Sequence, residues 1–554
     1  MSLQLIECVP NFSEGRDMSI IKKITDAIES VDGVRLLDTD PGFATNRTVV
    51  TFVGEPEPVL EAAFRAMREA KSLIDMSKHH GEHPRFGATD VCPLVPVSGI
   101  TMEECAALAR RLAERVGNEL DYPVYLYESA ASKPERKNLA SVRAGEYEGL
   151  PQKLQNPEWV PDFGQAEFRP RTGATAIGAR DFLVAVNFNL NTTSTRRANA
   201  IAFDVREAGR VIKTKDSNGN ETEERIPGTL KACKAIGWYI AEYGVAQVSM
   251  NLTNIAVTSV HEAFEAVNKS ATERGMRVTG TEIVGLLPLR VLTEAGKYFL
   301  KKQERSTGVP EKELIKIAVK SMGLDELRPF EAEKKVIEYF LRPAGANPLV
   351  ALSLANFSAE TASESPAPGG GSVAAYVGAL AISLAGMVAN LSSHKRGWDS
   401  RWEEFSSHAE KAETLRVSLI NLVDEDTAAF NAIMAAMGLP KGSDAAKAER
   451  TAAIQAATIK AIEVPLQVMK LVAETLPIIK AMAETGNPNS VSDAGVGALC
   501  ARAAIFGAGL NVRINTGGCS NKDYVAKVIA DANELEAFAD AEEKAIMAIV
   551  RGKM

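Results

Sequence analysis

Three of the six histidines in this chain, His79, His80 and His83, lie within five residues of one another. They belong to the segment Ser77-Lys-His-His-Gly-Glu-His-Pro-Arg-Phe-Gly-Ala-Thr-Asp90, whereas His261, His394 and His408 are scattered. Imidazole trades protons most readily near neutral pH, so the cluster marks candidate acid–base chemistry. Gly81 and Pro84 bracket Glu82-His83 and predict a fixed turn rather than a helix interior. The i, i+4 spacing of His79 and His83 holds zinc only from a helix, which those two residues deny. No companion Cys or His cluster exists in the sequence, so no metal is expected. His79 and His80 read as packed or solvent-facing residues, and His83 as a general base or acid.

A second candidate is a carboxylate. Over Leu415–Met437 an apolar stripe runs through Leu415, Leu419, Leu422, Val423, Phe430, Ile433 and Met437. At about 100° per residue, Asp426 falls in the middle of that stripe and Asp424 points away from it. A carboxylate on an apolar face either has a raised pKa suited to donating protons or is bonded to a neighbouring helix. The pattern leaves both open for Asp426 and makes Asp424 a solvated surface residue. Gly369-Gly370-Gly371-Ser372 precedes a helix and reads either as a cradle for an anion or polar ligand, or as a plain helix start. The polar turn 486–495, followed by Gly507 and Gly509, reads as a pocket or a tight helix crossing.

The elements that must position these residues differ along the chain. The first ~330 residues mix strands (Leu5–Val9, Val34–Leu37, Arg47–Val53, Val91–Val97, Tyr122–Tyr127) with helices (Asp17–Ser30, Val59–Ile74, Met102–Val116). The pattern restarts at Phe182–Asn191, with Asn187, Asn189 and Asn191 on one strand face. Helices over Thr195–Glu207 and Leu230–Tyr243 and a strand over Ala246–Leu252 follow. This predicts α+β sandwiches in two related halves. Beyond the Pro/Gly/Ser-rich loop 363–372, the chain is rich in Ala, Leu, Ile and Met at helical spacing and predicts an all-α bundle.

Composition sets outer bounds. At 554 residues the chain is too long for one core, and a net charge of −8 argues against nucleic acid as the main partner. Six cysteines without framework spacing, and no signal-like N-terminus, predict a reduced, cytoplasmic protein. Val373–Leu391 is uncharged for 19 residues, but its Ala, Gly, Ser and Val content predicts a buried bundle helix rather than a membrane span.

Several segments, taken in order, resemble the formimidoyltransferase-cyclodeaminase family along essentially the whole chain. Glu7-Cys-Val-Pro-Asn-Phe-Ser-Glu-Gly-Arg16, Gly81-Glu-His-Pro-Arg85 and Val160-Pro-Asp-Phe-Gly164 are similar to its transferase part. Pro366-Ala-Pro-Gly-Gly-Gly-Ser372 and Val423-Asp-Glu-Asp426 through Ala429-Phe430 resemble its cyclodeaminase part. The resemblance implies ferredoxin-like transferase subdomains over 1–180 and 181–326, a linker over 327–336 and an all-α helical-bundle cyclodeaminase over 337–554. It implies His83 as the transferase catalytic residue and Asp426 as the cyclodeaminase one. It also implies a folate-binding loop at Pro161, Asp162, Phe163, Gly164, Gln165, Ala166, Glu167, Phe168, Arg169 and Pro170.

The implied reactions move a formimidoyl group from N-formimidoyl-L-glutamate to N5 of tetrahydrofolate, then close the product to 5,10-methenyl-tetrahydrofolate with release of ammonia. Tetrahydrofolate is then a substrate, and no bound cofactor or metal is expected. Asp162, Asp38 and Asp40 are candidates for the pterin edge, and Arg47, Arg85 and Arg171 for substrate carboxylates. Gly370 and Ser372 would bind at the second site. A homo-oligomer is implied, built on dimers of the helical domain and reaching an octamer. Two alternatives remain at this point: a helical domain that acts as a methenyltetrahydrofolate cyclohydrolase, or one that only assembles subunits.

Overall fold

The computed structural model describes residues 4–43, 45–81, 84–215, 221–341, 348–365 and 367–554. The chain divides into two compact units, residues 1–292 with 319–341, and 293–318 with 342–554.

The first unit opens with β1 (Leu5–Cys8), β2 (Asn11–Phe12), α1 (Met18–Glu29), β3 (Val34–Gly42), β4 (Arg47–Gly54), α2 (Pro56–Leu73), β5 (Thr89–Ser98), α3 (Met102–Glu119) and β6 (Val124–Glu128). The short helices α4 (Leu139–Val142) and α5 (Leu150–Lys153) and strand β7 (Thr175–Ala179) follow. β1 and β2 share one lane between β4 and β5, interrupted at Val9-Pro10, where the proline has no N–H for the ladder. The sheet runs β3-β4-β1/β2-β5-β7-β6, with β7 parallel to both neighbours. Helix starts are locally encoded: Asp17 caps α1, Pro56 opens α2, and Thr101 with Glu104 forms a capping box on α3.

The second half contributes β8 (Val184–Leu190), α6 (Thr195–Val205), a hairpin of β9 (Arg210–Lys215) and β10 (Glu221–Ile226), β11 (Cys233–Ile240), β12 (Val245–Leu252), α7 (Val260–Thr272) and β13 (Val278–Val284). Its sheet runs β11-β12-β8-β13, all antiparallel. In both halves a strand-helix-strand-strand-helix-strand run places the first strand between the third and fourth, which is the ferredoxin-like order. The expected helix over Leu230–Tyr243 is wrong. Cys233, Ala235 and Gly237 are buried in alternation on β11, and a Cβ on Gly237 would lie 2.2 Å from the Asn199 amide of α6. Packing with period two outweighs the helix-like Ala and Lys content.

The Asn-lined face of β8 is knitted rather than open. Asn187 donates to Glu282 (3.0 Å), Asn189 to Glu326 (2.6 Å) and Gln247 to Asn189 (2.7 Å). Helices α8 (Leu289–Lys302), α9 (Glu311–Met322) and α10 (Ile337–Leu341) follow. Stretch 327–336, expected as a linker, is tied back to the first unit. The Leu287 amide donates to the Lys335 carbonyl (3.0 Å) and the Ile337 amide to the Leu287 carbonyl (3.1 Å). The chain changes unit after Leu341.

Glu7, on β1, is only 4% exposed. Burial pushes its carboxyl up to about 7, with Arg180 lowering and Glu338 raising it further. Because the unfolded chain titrates near 4.5, the folded state holds the extra proton between the two values. Stability should therefore fall as pH rises from about 4.5 through about 7, by on the order of 3 kcal/mol. Calorimetry of Glu7→Gln should show this slope flattened; an unchanged slope would exclude Glu7 as its source.

The second unit holds α11 (Leu354–Thr361), α12 (Gly370–Ser393), α13 (Trp402–Met437), α14 (Asp444–Thr485), α15 (Val491–Thr516) and α16 (Lys522–Lys553). α12 packs against α13, α14 and α15. Small residues set the crossings: a Cβ on Gly378 would meet Val472 at 2.5 Å, and one on Gly497 would meet the Ala381 carbonyl at 3.0 Å. At the 486–495 turn a Cβ on Gly486 would meet Val388 of α12 at 2.7 Å, which fits the tight-crossing reading. By length and composition α12 and residues 488–516 each suit a membrane span, yet both pack in the bundle and keep an apolar outer stripe. The α8–α9 hairpin also belongs to this unit. The Thr307 amide donates to Ser406 Oγ (3.0 Å) and Asn390 Nδ2 to the Gly308 carbonyl (2.9 Å).

Candidate active sites

In the first unit, His83 and Glu82 lie outside the described residues, but the chain on either side is held in detail. Asn46 accepts from the Gly15 amide (3.0 Å), donates to the His80 carbonyl (2.9 Å), and offers its own carbonyl to His79 Nε2 (2.7 Å). His79 is buried, which lowers its pKa; His80 is exposed. A Cβ on Gly81 would stand 2.2 Å from the Thr45 carbonyl, so the turn lies flat against the β3–β4 loop.

Downstream of the turn, Arg85 is not a free carboxylate receptor. It donates to Glu148 (2.6 and 2.9 Å), to the Met76 carbonyl (2.9 Å) and to the His79 carbonyl, and stacks over Tyr147 at 4.6 Å. It therefore staples the turn to itself. Arg171 is 67% exposed, with Asp75 near it at 3.9 Å. Asp38 and Asp40 are half-buried on β3, and burial raises the Asp38 pKa while Lys335 lowers it.

A buried charge cluster beside the turn escaped the sequence reading, except for Arg47. Asp90, fully buried at the start of β5, pairs through Oδ2 with Arg47 and with Arg143 (3.2 Å). Arg47 also donates twice to Asn11 Oδ1 (2.8 and 3.0 Å), and burial lowers its pKa. Arg143 reaches the carbonyl of Pro84, the residue after His83, at 2.5 Å. Asp90 is the last residue of the histidine segment, and only its position there hinted at a role.

Loop 161–170 is strapped to β6. The Val124 amide donates to the Phe163 carbonyl (2.9 Å) and the Asp162 amide to the Val124 carbonyl (2.8 Å). Gly164 adopts φ +79°, and a Cβ there would meet the Tyr122 carbonyl at 2.2 Å. Phe163 and Phe168 pack on the core, Arg169 pairs with Asp121 (2.6 Å), and Gln165, Ala166 and Glu167 are exposed. Pro161 is buried, and the Pro170 carbonyl accepts from Tyr147 Oη (2.6 Å).

The Asp162 carboxylate is not available to a pterin. It accepts from the Leu126 amide (2.8 Å), from Ser132 Oγ and from Arg136 (2.6 Å), which is itself 2% exposed. Asp162→Ala would leave a buried guanidinium unpaired, so we expect a loss of about 3–5 kcal/mol of stability in this unit. Thermal unfolding checks this, and an unchanged transition would refute it.

In the second unit, Asp426 and the glycine loop come together. Asp426 Oδ2 accepts from Ser372 Oγ at 3.1 Å, and Ser372 Oγ lies 3.3 Å from Thr427 Oγ1. A Cβ on Gly371 would lie 2.2 Å from Asp426 Oδ1, so the first turn of α12 must be bare there for the carboxylate to approach. Gly370 adjoins Asn511 of α15. Burial raises the Asp426 pKa above the ordinary aspartate value, and hydrogen bonds from Ser372 oppose this without cancelling it. Both open readings therefore hold for Asp426: it is bonded to a neighbouring helix and its carboxyl is biased toward keeping a proton. Asp424 is not a solvated surface group. It accepts from the amides of Leu349 (2.9 Å) and Val350 (3.3 Å).

Three family models match the chain in order: "Formiminotransferase domain, N-terminal subdomain" over residues 5–180, "Formiminotransferase domain" over 185–342 and "Formiminotransferase-cyclodeaminase" over 353–534. The chain is 44% identical over 513 residues, 92% of each chain, to the formimidoyltransferase-cyclodeaminase of Mus musculus. It is 42% identical over 301 residues to the glutamate formimidoyltransferase of Streptococcus pyogenes serotype M1, covering 54% of this chain and 95% of that one. Over 193 residues it is 37% identical to the methenyltetrahydrofolate cyclohydrolase of Methylorubrum extorquens, covering 35% of this chain and 93% of that one.

Proposed function

Because the chain belongs to the formimidoyltransferase-cyclodeaminase family, we propose that it performs two successive steps on a folate, His83 serving the first and Asp426 the second. In the first step N5 of tetrahydrofolate attacks the amidine carbon of N-formimidoyl-L-glutamate. N5 loses a proton and the departing glutamate nitrogen gains one, and a single imidazole can make both transfers in turn. In the second step N10 attacks the same carbon, and the amine leaves as ammonia once protonated. Asp426, whose carboxyl burial holds above the ordinary aspartate value, supplies that proton. Its seat on Gly371 and Ser372 is the observation that carries the second half of the reading. Loop 161–170 would line the folate site through Phe163 and Phe168, with its acid committed to the fold.

Two further properties accompany the proposal. The outer stripe of α12 exposes Leu380, Met387 and Leu391, and that of α15 exposes Val496, Leu510 and Ile514. Such exposed apolar stripes suit pairing of helical units in a homo-oligomer. All six cysteines are free, which suits a cytosolic setting.

A cyclohydrolase activity for the helical unit is the second reading, favoured by the similarity to the Methylorubrum extorquens protein. One coupled assay separates them. Formimidoylglutamate and tetrahydrofolate are mixed with enzyme, and methenyl absorbance and ammonia are followed together. Stoichiometric appearance of both supports the deaminase; accumulation of 5-formimidoyl-tetrahydrofolate without ammonia, with opening of separately added methenyl-tetrahydrofolate, favours the cyclohydrolase.

A further inference from the structure

Ser372 is expected from sequence to bind substrate at the second site, but its surroundings give it another role. The residue is 0% exposed, so its hydroxyl offers a substrate no surface. That hydroxyl lies between two side chains of α13: it donates to Asp426 Oδ2 at 3.1 Å and stands 3.3 Å from Thr427 Oγ1. A serine hydroxyl has one proton and two lone pairs. With its proton spent on Asp426, Thr427 must be the donor to Ser372, and the hydroxyls run in one direction toward the acid.

The same contact completes the start of α12. Gly369 precedes its first turn and supplies no side-chain cap. The acceptor comes instead from α13. The Asp426 carboxylate takes hydrogen bonds from the hydroxyl and the backbone N–H of Ser372, and both favour its anion against burial. No charged side chain shares this role among the described residues. α12 carries none, and its one tyrosine, Tyr376, packs on Phe357 at 5.6 Å. On α13, Asp424 is occupied by the 349 and 350 amides, and Glu425 faces Lys460 of α14 at 3.8 Å. On α15, Arg502 pairs with Asp540 (3.0 Å) and Arg513 with Glu536 (2.6 Å), both on α16. Burial and Ser372 therefore set the proton affinity of Asp426 between them.

We propose that Ser372 is a positioning residue for the cyclisation acid rather than a substrate ligand. Its hydroxyl fixes the Asp426 carboxyl through Oδ2, which leaves the transferable proton to Oδ1, and Thr427 keeps that hydroxyl turned toward the acid. This rests on Asp426 supplying the proton to the departing amine.

The test uses the full chain and follows ammonia release from 5-formimidoyl-tetrahydrofolate across pH in wild type, Ser372→Ala and Thr427→Val. Without the serine hydroxyl the carboxyl is free to turn and its anion loses a donor. The low-pH plateau of kcat should fall on the order of tenfold. KM should change little, and the limb that declines toward high pH should move to higher pH. Thr427→Val, which removes only the outer hydroxyl, should displace the limb less and in the same direction. A purely structural serine would lower the fraction of active enzyme and leave the limb in place, so the reading survives partial unfolding of Ser372→Ala. An unmoved limb, or a raised KM at unchanged kcat, would overturn the proposal.

Melting temperature against pH asks the same question without turnover. The gap between wild type and Ser372→Ala should widen as pH rises above 3.8, the unfolded value of the carboxyl, and should not widen in an Asp426→Asn background. A gap that stays constant with pH would count against Ser372. If the gap behaves as expected while Asp426→Asn releases ammonia normally, Ser372 still positions Asp426 and only the identity of the acid falls.

Discussion

Asp426→Asn should cut ammonia release by roughly 10²–10⁴-fold while formimidoyl transfer continues. The exchange keeps the shape of the side chain and the acceptor for Ser372, so the bare first turn of α12 still has room for it. What disappears is the transferable proton. The wild-type rate should decline with rising pH along a limb that the Asn variant lacks. A stability change should accompany the loss. The folded pKa lies above the unfolded value of 3.8, so the folded chain binds more protons over that interval and is destabilised as pH rises through it. At neutral pH the Asn variant should therefore melt higher than wild type, with the difference shrinking toward pH ~4. Normal ammonia release from the variant would remove Asp426 from the chemistry altogether.

Replacing His83 with Ala should abolish formimidoyl transfer to a similar extent, roughly 10²–10⁴-fold, with cyclisation of supplied 5-formimidoyl-tetrahydrofolate untouched. The flanking staples use the main-chain carbonyls of His79, His80 and Pro84. Truncation should thus delete the base without releasing the chain around it. Unfolding temperature and glutamate binding are the controls. Near-normal transfer by His83→Ala would end the assignment.

The two halves of the first unit were legible as repeated strand–helix alternation, because their helices and strands carry different apolar periods. β11 was not, because Lys, Ala and Gly there alternate by size rather than by polarity, and only the approach of α6 reveals which face is inside. Helical phase placed Asp426 on the apolar stripe correctly and misjudged Asp424. Phase says which way a side chain points, not that the 349–350 amides wait there. The same limit explains Asp162: its place in a recognisable loop invited a ligand role, whereas Arg136, 26 positions upstream, already occupies it. Arg143 was invisible for the opposite reason. It follows a four-residue helix with no periodicity to read, and its meaning comes from Asp90 on a distant strand.

The hairpin between α8 and α9 has a practical corollary for anyone dissecting this enzyme. Residues 293–318 precede the apparent boundary in sequence, yet they pack with the helical unit, through Thr307 on Ser406 and Gly308 on Asn390. A protease cut or gene split near residue 350 would sever the polypeptide without undoing that graft. The two fragments should therefore co-purify, and a helical fragment made alone should arrive with an unfilled seam where its neighbour's hairpin belongs.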